Sequence, residues 1–140
     1  MKILIPLFLI AFSGAGLAGS AGVPALQVAL AQQARSADPG FGGFSAERGA
    51  SFYRNRHGGE WSCASCHTGD PSAVGRHAVT RKAIQPLAPA ANAARFADAA
   101  KTEKWFRRNC NDVLKRACTA REKGDFIAFV SSVGTAEARP

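Results

Sequence analysis

The stretch WSCASCHTGD at 61–70 constrains this chain more than any other part of it. Two cysteines, Cys63 and Cys66, stand three apart with His67 directly behind the second. That spacing is the attachment pattern of a c-type haem, in which both thiols become thioethers on the porphyrin and the histidine binds one face of the iron. A chain that carries such a flat, largely apolar body must wrap its core around it. Two other chemistries use closely spaced cysteines. A thioredoxin-like redox pair needs a strand entering and a helix leaving within an α/β pattern, and the sequence has none. A structural zinc site wants a second closely spaced pair, whereas Cys110 and Cys118 are eight apart.

The start of the chain reads as an export signal. Lys2 precedes the apolar run ILIPLFLIAF, and small residues follow in SGAGLAGSAG, which is the charge, core and cleavage order of a secretory segment. The signal occupies about residues 1–22, with the mature protein beginning after Ala18. The run falls short of the roughly 20 apolar residues of a spanning helix, so no stable membrane insertion is expected after cleavage. Export to the periplasm has two chemical consequences. It removes Met1, the sole methionine, and with it the residue that most electron-carrying c-type cytochromes place on the second face of the iron. It also puts the cysteines not assigned to haem, Cys110 and Cys118, in an oxidising compartment where leftover thiols pair. A disulfide across so short a loop stabilises by about 2 to 3 kcal/mol on the loop-entropy model.

The net charge is +8, with a pI near 10.0. The basic residues are scattered rather than massed, and no nucleic-acid-binding module is recognisable, which leaves docking to an acidic redox partner or a solvated surface with no special partner.

Four segments order the chain. PALQVALAQQARSA reads as a helix with Pro24 in its first turn, and DPGFGG breaks it, so 23–44 form an N-terminal helix and linker. Ser45 then caps SAERGASFYR, where Gly49 leaves a bare spot on the helix. Beyond the cysteine motif, Pro86 and Pro89 favour an extended segment in AIQPLAPAANAARF, either lining the histidine side of a haem crevice or running as a surface linker. TEKWFRRNCNDVLKR, 102–116, reads as a helix capped by Thr102, with Trp105, Phe106, Cys110, Val113 and Leu114 on one side. A capping box, Thr119 to Glu122, opens the last helix, which presents Phe126, Phe129, Val130 and Val133. No stretch alternates with the period of a strand. The expected architecture is all-α, with a monohaem domain over 45–134, the Gly49 face against the Phe126 and Phe129 face, and a tail at 135–140.

The residue on the second face of the iron decides whether such a protein only carries electrons or also binds gas. His57, His77, Asn109, Asn111, Tyr53, a lysine or nothing are the candidates. Counting from Trp105, Asn109 projects at about 40°, inside the apolar sector, and Asn111 at about 240°, away from it. A buried amide on an apolar face needs a partner or costs roughly 1 to 3 kcal/mol. The iron or a backbone group would each serve.

LAPAA, EKWFRRNCNDVLKRACTAREKGD and the attachment loop together resemble the SHP-type (Sphaeroides haem protein type) cytochromes c, a high-spin branch of the class I cytochromes. The likeness runs from about Ser45 to Val133. It implies a small class I cytochrome c fold with one covalent haem c on Cys63 and Cys66, and His67 as proximal axial ligand. It implies Asn109 as a distal ligand that binds ferric iron and leaves on reduction, beside a Cys110–Cys118 disulfide. Trp105 and Phe106 are expected to pack at the haem edge. The resemblance further implies binding of oxygen or nitric oxide at the vacated ferrous site, and a dihaem cytochrome c or a membrane b-type cytochrome as redox partner. Electron transfer, gas scavenging, and a small haem enzyme acting on nitric oxide or peroxide are the competing functions. The last would want a distal acid or base, and the sequence offers no clear one.

Overall fold

The computed structural model describes residues 22–134. The signal segment, apart from Gly22, and the tail at 135–140 lie outside the described residues. Five helices and one minimal strand pair follow in order: α1 Val23–Ala37, α2 Ala46–Arg54, α3 Cys63–His67, β1 Gly75–Arg76, β2 Ala83–Ile84, α4 Ala99–Leu114 and α5 Ala120–Ser132. Among the described residues no helix is long and apolar enough to cross a membrane.

Helix α5 is the central beam, with α1 and α2 both packed on it. Its residues Phe126, Ile127, Phe129 and Val130 are buried with Leu30, Tyr53, Leu87 and Phe96. Each such side chain contributes roughly 1.5–3 kcal/mol by leaving water. The α2–α5 contact is the one the bare Gly49 foreshadows. A Cβ there would collide with the Asp125 carbonyl and lie 2.8 Å from Phe129 Cβ, so only glycine allows this approach. Ser45 caps α2 as expected, accepting from Arg48 N at 3.1 Å. The buried Asp125 carboxylate accepts from Ser45 N at 2.7 Å and from Arg48 Nε at 2.8 Å, which ties the start of α2 to α5.

One expectation requires correction. Helix α4 begins before Thr102. Asp98 is its cap, accepting from Lys101 N at 2.8 Å, and the Thr102 hydroxyl instead donates to the Asp98 carbonyl. An aspartate captures a first-turn N–H well, and the Ala99–Ala100 pair behind it sustains the helix. The chain also contains a short antiparallel ladder, Gly75 opposite Ile84 and Arg76 opposite Ala83. Two-residue strands are too short to show a period of two in the sequence.

At the far end of α4, Lys115 takes the left-handed conformation (φ 58°), and a Cys110–Cys118 disulfide with Cα atoms 5.6 Å apart ties α4 to the start of α5. The capping box at Thr119 and Glu122 is present, and Glu122 also receives Arg116 at 2.6 Å.

Candidate functional site

Helix α3 is a single turn carrying Cys63, Cys66 and His67, started by a reciprocal Ser62–Ser65 capping box. Such a short helix is marginal alone and is held by its surroundings. Tyr53, fully buried on α2, sends its hydroxyl to the carbonyls of His67 at 3.0 Å and Thr68 at 2.7 Å. Burial, then the nearby Cys63 and Asp70, raises its pKa, so it stays a protonated donor. On the other side Gly75 lets the β1–β2 hairpin press on the turn. A Cβ at Gly75 would meet the Cys66 carbonyl and lie 3.0 Å from His67 Cα. The hairpin tip reaches back, Ala78 N donating to Cys66 Sγ at 3.3 Å.

Cys63, Cys66 and His67 open onto a cleft of about 770 Å³, within the range of roughly 300–1,000 Å³ common to small-molecule and cofactor sites. Both thiols are free, in contrast to the paired Cys110 and Cys118. Burial pushes the Cys63 thiol up to about 11. His67 is lowered to about 4, first by burial and then by the charge of Arg95, so its ring is neutral at ordinary pH and able to bind a metal. Among the described residues no three His, Cys, Asp or Glu side chains cluster as a metal cage.

Helix α4 supplies another wall, with Trp105, Phe106, Asn109, Cys110, Val113 and Leu114 all on the cleft. The apolar side of α4 inferred from periodicity thus faces this cleft, and Trp105 on that wall stays 42% exposed. Asn109 lies on the cleft, whereas Asn111 lines a separate shallow depression with Lys104, Arg107 and Arg108. The other candidate ligands separate in the same way. Tyr53 is committed to carbonyls, and His57, whose Nε2 sits 3.0 Å from the Phe52 carbonyl, stands behind the lining residue Phe52 and is not itself on the cleft. His77 does line the cleft, and its Nδ1 accepts from Val79 N at 3.3 Å and Thr80 N at 3.0 Å.

The proline-rich segment contributes Ile84, Gln85, Leu87, Asn92, Ala94, Arg95 and Phe96 to the cleft. It lines the crevice, but as a chain of turns beyond β2 rather than as an extended strip. Leu87 N and Ala88 N both donate to the Pro71 carbonyl, at 2.8 and 3.0 Å, and these bonds bend it inward. Arg95 and the hairpin residues Ala78 and Val79 are among the lining residues that sequence reasoning missed, with Trp61, Lys101 and Lys115. A lone arginine amid small residues in PAANAARF was the available hint for the first; nothing short-range marks the hairpin pair.

A family model for a domain of unknown function, DUF1924, matches residues 39–130. Cytochrome c'' of Methylophilus methylotrophus is 38% identical over 134 residues, covering 93% of this chain and 93% of that protein. Cytochrome c-type protein SHP of Cereibacter sphaeroides is 45% identical over 91 residues, 62% of this chain and 70% of that protein. The structure of oxidised SHP, an oxygen-binding cytochrome c, superposes with a TM-score of 0.72 at 35% identity, covering 81% of this chain and 99% of that one.

Proposed function

The chain belongs to the SHP-type family of c-type cytochromes, and from that premise we propose that it is an exported, periplasmic monohaem cytochrome whose distal ligand, Asn109, detaches on reduction so that oxygen or nitric oxide can enter. Its cofactor is covalent haem c. The donor set fits that group: two free thiols and a neutral imidazole share one cleft with aromatic and aliphatic side chains and, on the α4 wall, the Asn109 amide. This convergence is the observation that carries the reading.

When bound, the haem supplies a one-electron couple and an iron position for a diatomic gas. The chain supplies the rest. Cys63 and Cys66 would hold the group covalently, and His67 would ligate its iron. Tyr53 restrains the carbonyls of His67 and Thr68 and so limits the swing of the ring's backbone. Asn109 offers a neutral oxygen donor, which matches the harder ferric ion better than the softer ferrous ion. The disulfide at the adjacent Cys110 limits how far that turn of α4 can move. Trp105 and Phe106 pack the haem edge. The basic surface suits an acidic redox partner such as a dihaem cytochrome c or a membrane b-type cytochrome.

Optical and resonance Raman spectra of the oxidised and reduced holoprotein test the proposal. Ferric protein should show a sixth ligand that is lost in Asn109→Ala, and reduced wild type should bind added nitric oxide without that ligand competing. An unchanged ferric spectrum in the variant would move the distal assignment to His77 or water and leave an ordinary carrier.

A further inference from the structure

Arg95 is a cation in the wall of a largely apolar cleft, and among the described residues it has no ion-pair partner. The loop that carries it is well tied: Arg95 N donates to the Asn92 carbonyl at 2.9 Å, and Asn92 Nδ2 donates to the Pro86 carbonyl at 3.1 Å. Phe96, next in sequence, takes the left-handed conformation (φ 66°) and buries its ring in the core. A bulky residue rarely adopts that conformation, so the packing of Phe96 holds the turn and, with it, the placement of Arg95. The guanidinium is half-buried and shares the cleft with His67. Burial pulls its pKa down, and its charge reaches His67.

Among the described residues the ion pairs are Arg48–Asp125, Arg116–Glu122, Arg121–Asp38 and Lys123–Glu103, and none involves Arg95. Its side chain makes no hydrogen bond there either. Its guanidinium lies over the face of Phe96, 6.0 Å from the ring centre. Two carboxylates line the cleft. Asp98 is occupied in capping α4 through Oδ1, and Asp112 lies on a later turn of that helix. A partly desolvated guanidinium is unfavourable without a counter-charge, and its fork of N–H donors matches a carboxylate best.

We propose that Arg95 is the carboxylate anchor of this cleft, binding a propionate of the haem and holding a positive charge beside it. The inference rests on the haem-binding reading above. Arg95 is a positioning residue: it orients the group and, by disfavouring the more positive ferric state, keeps the reduction potential higher than it would otherwise be.

The test compares holoprotein of wild type, Arg95→Gln and Arg95→Lys by spectroelectrochemistry and by resonance Raman in the propionate-bending region. Arg95→Gln should lower the potential and shift the propionate-bending band. Arg95→Lys, which keeps the charge and loses the fork, should hold the potential near wild type while still shifting that band. If Arg95→Gln yields no holoprotein, the band in Arg95→Lys decides alone. A propionate band at the wild-type position in the variants overturns the anchor. So does a wild-type potential in Arg95→Gln. Wild type without covalently attached haem would instead sink the reading on which the inference rests, so the two failures are distinguishable.

Discussion

Replacing Gly49 by alanine sets two physical effects against each other with opposite signs. On helix propensity alone, alanine in a helix interior is better than glycine by about 1 kcal/mol, so Gly49→Ala in an isolated α2 would stabilise. In the folded protein the new Cβ collides with the Asp125 carbonyl, lies 2.5 Å from its carbon and 2.8 Å from Phe129 Cβ. The first two of these atoms are backbone of a buried helix and cannot rotate aside. Relief requires α2 and α5 to separate, which loosens the packing of Tyr53 on Phe129, now with ring centres 5.3 Å apart. It also stretches the bonds from Ser45 and Arg48 to Asp125, now 2.7 and 2.8 Å. Overpacking of this kind costs about 1–3 kcal/mol and more where backbone must move, so a net loss of about 3 kcal/mol is expected. For a domain of this size that is a fall in Tm of roughly 10–20 °C. Urea denaturation of oxidised holoprotein, followed by far-UV circular dichroism, should show the midpoint falling with the slope unchanged. A midpoint equal to or above that of wild type would refute the claim that close approach, rather than helix propensity, governs this position.

Tyr53→Phe removes the donor to the His67 and Thr68 carbonyls. Leaving them short of a partner should cost about 1–3 kcal/mol in urea and shift the iron–histidine stretching band of the reduced protein, whereas a band and midpoint at wild-type values would show that the hydroxyl does not position His67. Glu122 is held below the usual carboxylate range, chiefly by its hydrogen bond from Arg116. Because the folded value is the lower one, its stabilisation is complete above the unfolded value of about 4.3 and disappears as pH falls through the folded value. Glu122→Gln should therefore lose on the order of 1 kcal/mol at pH 7, since it weakens both cap and ion pair, and differ progressively less from wild type as denaturation is repeated toward pH 3. A gap that stayed constant down to pH 3 would show that charge is not the cause.

What could be read directly from the sequence was local. Cys63, Cys66 and His67 are adjacent enough to be recognised as a unit. The Ser45 cap and the Thr119–Glu122 box each span three residues, and helical periodicity put Asn109 with Trp105 and Phe106 and sent Asn111 elsewhere. Gly49 hinted at a close helix contact, and α5 provides it. The misplaced start of α4 has the same local origin, because Thr102 and Asp98 are both plausible caps and only the hydrogen bond to Lys101 N decides between them.

The chain's order of residues alone determined the cysteine–histidine unit, the helix sequence and the side of α4 on which Asn109 stands, because each depends on neighbours within one or two turns. The tertiary structure decided which of these meet. It brought α3, a tip of hairpin, a bent proline-rich loop and one side of α4 around a common cleft, turned Arg95 into it and kept His57 out. Such encounters join positions tens of residues apart, through packing on α5 and through bonds such as Tyr53 to His67 and Leu87 to Pro71, and the residue spacing along the chain has no term for them.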